Sequence, residues 1–132
     1  MTKDWILRRQ SADPMSDFPV IRTAIPQRRY QAGDYQATLL GEIESGDGIE
    51  YRFILGFLEQ GQNRPSFYVC CERNRPPSPE GGAWRMRIVN SAMSEILDAS
   101  DEWRNLDAFA SDALAVAAQA LGFSEEDIQR LM

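Results

Sequence analysis

The chain contains no histidine. That absence excludes a Ser-His-Asp or Cys-His triad within these residues, and any histidine-ligated zinc site. Cysteine is scarce as well, with only the adjacent pair Cys70 and Cys71. On a strand, neighbouring side chains point to opposite faces, so these two are badly placed to bond to each other. With no CxxC spacing beside them, they read as small, reduced hydrophobes. Lys3 is the single lysine among 14 basic residues. No apolar run approaches the roughly 20 residues of a membrane span. The glycines form neither GxGxxG nor a P-loop, which excludes the common nucleotide-binding motifs. There is no internal repeat. No catalytic residue, metal ligand or cofactor is assigned. A carboxylate-only magnesium or calcium site and acid/base work by Asp, Glu, Tyr, Lys or Cys stay open.

What is present belongs to an ordinary globular chain. Its 132 residues are 43% hydrophobic and 26% charged, which suits one domain with one core. The opening MTKDWILRRQ lacks the apolar centre of a signal peptide, so a cytoplasmic location is expected. The net charge of -6 is unevenly placed. Residues 1–90 hold 12 basic against 11 acidic side chains, whereas residues 91–132 hold 2 against 9. The acidic pI near 4.6 argues against nucleic-acid binding, which depends on neutralising phosphate.

The organising stretch is IEYRFILGFL, Ile49 to Leu58. Its middle is apolar at both odd and even positions, as in a central strand or one whose second face meets a partner. Around it, Gln27–Tyr30, Tyr35–Glu44, Ser66–Arg73 and Trp84–Val89 read as further strands, joined by turns rich in Gly, Asn and Asp. Val20 to Ile25 is a candidate short strand. Along the fourth strand, Trp84, Met86 and Ile88 face one way and Arg85, Arg87 and Val89 the other. Asn74–Gly82, with three prolines, is a loop containing a PxxP spacing.

From Asn90 the apolar period changes to that of a helix. The pattern predicts a helix capped by Asn90 or Ser91 carrying Met93, Ile96 and Leu97. A second start follows at Ser100-Asp101-Glu102. The strongest helix is Asp107–Leu121, stopped by Gly122, and a last short helix opens at Ser124. The expected fold is α+β: an antiparallel meander of four or five strands in residues 28–90, then helices in 91–132 packed on one face. Residues 1–27 are expected to form a partly irregular arm, tied down by Trp5 and Ile6.

Arg52, Arg85 and Arg87 are expected to share a sheet face as an anion patch, with Tyr51 and Tyr68 beside them as ligand contacts. The competing arrangement is a set of cross-strand pairs with Glu50 or Glu72. The acidic residues Glu42, Glu44, Asp47 and Glu50 read as a solvated hairpin tip. Phe53, Leu55 and Phe57, or alternatively Ile54 and Leu58, are the candidate interface, since a monomer rarely exposes a large apolar patch. The size, acidity and strand-then-helix order are loosely similar to those of small acidic dimeric chaperones, including those that escort secreted bacterial effectors, on composition alone. The leading expectation is a small cytoplasmic interaction module, chaperone- or adaptor-like and homodimeric. It would bind a protein partner through a sheet face or the edge beside the proline loop, with no nucleic acid and no membrane. The alternative is a binder of small anionic ligands, or an enzyme, with its site between sheet and helices and acid/base groups from Glu42, Glu72, Tyr51 or Tyr68.

Overall fold

A computed structural model describes residues 17–74 and 81–131. Trp5, Ile6 and the PxxP spacing lie outside the described residues.

Among the described residues, seven strands form one antiparallel sheet. They are β1 (Ile21–Ala32), β2 (Tyr35–Ser45), β3 (Tyr51–Glu59), β4 (Phe67–Arg73), β5 (Trp84–Asn90), β6 (Ser94–Ser100) and β7 (Ile128–Arg130). The spatial order is β6-β5-β4-β3-β2-β1-β7. The first six make an uninterrupted meander, and the chain's end returns to pair with β1. A helix, α1 (Leu106–Leu121), and a 3-10 turn (Asp101–Arg104) come between β6 and β7.

The meander, the strand-then-helix order and the Leu106–Leu121 helix agree with the sequence pattern. Asn105 caps that helix by accepting a bond from the Ala108 amide, and Gly122 closes it in the left-handed region at φ 81°, where glycine carries no Cβ penalty. Three expectations are corrected. The sheet has seven strands rather than four or five, and α1 is the one α-helix among the described residues. Residues 94–100 form a strand, because the Asn90 carboxamide accepts from the amides of Ala92 and Met93 and closes a tight turn rather than opening a helix. The start at Ser124 gives a single 3-10 turn that feeds β7. The candidate strand at Val20–Ile25, from Ile21 on, and Gln27–Tyr30 are parts of one strand, which absorbs Pro26 through register irregularities on either side of it, as a proline within a sheet requires.

The larger core lies between the sheet and α1. Leu39, Leu55, Phe57, Val69 and Met86 meet Phe109, Ala113 and Ala117, all buried. The small alanines let the helix lie close, and Phe109 stacks on Phe53 with ring centroids 5.7 Å apart. The second face has its own small core of Tyr51, Ile54, Cys70 and Val89, covered by Phe18, Ile21, Ile43 and Ile49. The β2–β3 ladder ends at Leu40 and Ile54, while β2 stays paired with β1 as far as Ser45. Glu42, at φ 47°, sits where the strands part. The freed end of the β1–β2 ribbon brings Ile21 and Ile43 over the second face. This is how β3 is apolar on both sides: α1 covers one, and the chain itself covers the middle of the other.

Candidate functional site

Three places among the described residues bear on the expected sites. The first is a buried polar network beneath the second face. Glu72 is fully buried on β4. Arg85 Nε donates to its Oε1 at 2.9 Å and Arg87 Nε donates to its Oε2 at 2.9 Å. Arg87 Nη1 also donates to the Asp17 carbonyl at 3.0 Å and to Ser94 Oγ at 3.1 Å, and its Nη2 to the Tyr51 hydroxyl at 3.3 Å. Tyr51 in turn donates to Asp47 Oδ2 at 2.7 Å. Asp47 further accepts from the amides of Val20 and Ile49.

Burial alone would raise the Asp47 carboxyl. The bonds from Val20, Tyr51, Ile49 and Ser45 outweigh that and hold it below its usual range, because each favours the ionised form. The Tyr51 phenol is pushed up, first by burial and then by its bond to Asp47, so it stays a neutral donor. The network joins the entering segment at Asp17 and Val20 to the hairpin tip, to β3–β5 and to the start of β6.

Of the expected ligand contacts, Tyr51, Tyr68, Arg85 and Arg87 lie on this face. They do not form an open anion patch, because the Glu72 carboxylate takes both guanidinium groups. The cross-strand pairing with Glu72 is the arrangement present. Tyr68 packs edge-on against Phe18, with centroids 5.2 Å apart. Arg52 is elsewhere. A register shift between Tyr51 and Phe53 breaks the alternation, and Arg52 Nε donates to the Arg104 carbonyl beside the helix layer. Phe53, Leu55 and Phe57 are buried under α1, so they do not face outward to a second copy. Ile54 is buried on the other face and Leu58 half-buried.

The second place is the cleft where β2 and β3 part, about 570 Å³, lined by Gln27, Glu42, Glu44, Glu50, Arg52 and Trp84 among others. Its rim is acidic, which disfavours an anionic ligand. Among the described residues no group of three or more Cys, Asp or Glu side chains is placed to hold a metal ion. Both cysteines are free and buried, with thiols pushed up chiefly by desolvation, Cys71 to about 12.

The third place is the β6 edge, which the helix expectation missed. The two ends of the sheet differ. β7 is three residues long, whereas β6 is seven residues long and its first five are exposed. Met93 is 37% exposed, Ile96 51% and Leu97 39%. Three of the six exposed large hydrophobic side chains among the described residues therefore fall on this strand and the turn that leads into it. The Ala99 amide donates to the carboxylate of Asp98, at 2.8 Å. At the far end of the strand, Gly81 lies against Ala99, so this is also the edge beside the proline loop. No helix among the described residues is long and apolar enough to cross a membrane.

No family model, curated protein or solved structure matches the chain.

Proposed function

We propose that the chain is a protein-interaction module, adaptor- or chaperone-like, whose contact surface is the open edge of the sheet at β6. The observation that supports this reading is the group of exposed apolar side chains at Met93, in the turn before β6, and at Ile96 and Leu97 on β6, whose outer side pairs with no other strand among the described residues. An outer strand offers a row of backbone donors and acceptors to an incoming segment, and exposed side chains on it add apolar contact. The edge replaces the sheet-face dimer expected from the sequence, because the residues assigned to that dimer lie beneath α1. The anionic-ligand alternative loses its support with the pairing of Arg85 and Arg87 to Glu72.

The test is a photo-crosslinking amino acid placed in cells at Ile96, with a control at Gln119 on the exposed side of α1. The reading expects one dominant adduct from position 96, absent from position 119 and lost when Leu97→Pro is added. Equal labelling from both positions, or none from position 96, would overturn it.

A further inference from the structure

We infer that the partner of the β6 edge is an extended segment whose side chains alternate between basic and apolar. The inference rests on the edge reading above and deepens it.

Residues paired across an antiparallel ladder share a face, so the β5–β6 register assigns each β6 side chain to a side of the sheet. Glu95 pairs with Ile88 and Asp98 with Met86, both core residues on the helix side. Ser94 pairs with Val89, Ile96 with Arg87 and Ala99 with Arg85, on the second face. Leu97 is the extra residue of a bulge between the Met86 and Arg87 pairings. The edge is therefore two-sided, with carboxylates towards the helix layer and small or apolar side chains on the second face. A strand laid alongside places its alternate side chains against the same two rows. One row meets Ile96, the other meets Glu95 and Asp98.

Charge decides between occupants. Residues 91–103 contain Glu95, Asp98, Asp101 and Glu102 and no lysine or arginine. All four are exposed, and none pairs with a cation among the described residues. A second copy would bring four carboxylates from each chain to one seam, between molecules of net charge -6. Charges on an edge strand, like the bulge at Leu97, guard against self-pairing. The same carboxylates attract a segment carrying lysine or arginine at every second position.

The experiment measures fluorescence anisotropy of labelled nine-residue peptides with the full chain, and maps the contact by amide hydrogen exchange. One peptide alternates valine and lysine. A second alternates valine and serine. A third has the composition of the first, with the valines and lysines in separate blocks. The valine–lysine alternation is expected to bind best and to protect residues 94–100. Glu95→Gln with Asp98→Asn keeps the Ala99 cap through an amide oxygen and should weaken that binding about 2- to 30-fold, the range for two opposite-charge cross-strand pairs.

If the valine–serine peptide binds as tightly and the double substitution changes nothing, the basic partner is wrong while the edge reading stands. Equal binding of the blocked peptide would show diffuse charge attraction and also overturn the inference. Should neither alternating peptide protect residues 94–100, the edge reading fails, and this inference with it. A dimer in light scattering that Leu97→Arg dissociates would make a second copy the occupant.

Discussion

Arg87 Nε lies 2.9 Å from Oε2 of Glu72, whose carboxylate is wholly buried beneath the second face of the sheet. Arg85 holds the other carboxylate oxygen. An ionised group taken from water is tolerated only where its partners replace that water, and removing one member strands the others. Glu72→Gln leaves two guanidinium groups facing a neutral amide. Its expected effect is a stability loss of about 3–5 kcal/mol, read from the denaturant midpoint at constant slope. Arg85→Gln should lose less, because the Arg85 side chain is 30% exposed and Arg87 still neutralises Glu72. Equal losses from the two variants would show that Glu72 does not act as the common acceptor.

Asp47 gives the fold a pH dependence with a defined sign. Its carboxyl titrates lower in the folded protein than in the unfolded chain. It therefore contributes stability at pH above the ordinary carboxylate value near 4, roughly, and that contribution is lost as pH falls through the lower, folded value. Asp47→Asn replaces an acceptor facing the Val20 amide and the Tyr51 hydroxyl by a donor. The variant is expected to be less stable by about 1–3 kcal/mol at neutral pH, with the gap closing in acid. Urea titrations of both proteins from neutral pH down to pH 3 would check it, and a gap that stays constant would contradict it.

The elements legible in the sequence are those whose side chains divide cleanly between two environments. β2, β3, β4 and β5 each bury one face under α1, and α1 buries one stripe, so their periods survive in the residue order. β6 buries almost nothing, so neither period is imposed on it. The spacing of Met93, Ile96 and Leu97 fits a helix as well as an outward-looking strand. Asn90 adds to the ambiguity, because the carboxamide that caps a helix also closes a turn. The grouping of Arg85 and Arg87 was legible from alternation along β5. The displacement of Arg52 was not, because it follows from a register shift against β4 that no single strand reveals. Glu72 was legible as a cross-strand partner of the arginines, but its complete burial was not. That burial comes with the pairing of β4 and β5, which lays Arg85 and Arg87 over the carboxylate, and with the segments packed on the second face beside it.

The two cysteines test the second core directly. Cys70 and Cys71 are fully buried on opposite sides of β4, and the Cys71 thiol donates to the Trp103 carbonyl at 3.5 Å. Thiolate is the reactive form, and burial disfavours it on both. Neither should react with a thiol-specific disulfide reagent at pH 8 while the protein is folded, and both should react once urea unfolds it. Reaction of one equivalent in the folded state would mean that one of the two cores opens locally well before the whole molecule does.

Gly82 tests how the proline loop is anchored to the proposed binding edge. It lies at φ 131°, and a Cβ built there would stand 2.4 Å from the Asp101 amide nitrogen and 2.6 Å from the Ser100 carbonyl carbon. Both contacts are backbone, so no side-chain rotation relieves them. Asn74 Nδ2 donates to the Gly82 carbonyl from the other end of the loop, at 2.9 Å, and the Ala83 amide donates to Asp101. Gly82→Ala must therefore push the loop away from the end of β6. The expected loss exceeds about 1 kcal/mol, because alanine at an incompatible backbone position costs more than the gain of up to about 1 kcal/mol that it brings where it fits. Hydrogen exchange should quicken at Ala99, Ser100 and Asp101 before it does in β3. Quickening spread evenly over the whole sheet would instead mean that the loop and the β6 edge are not coupled locally.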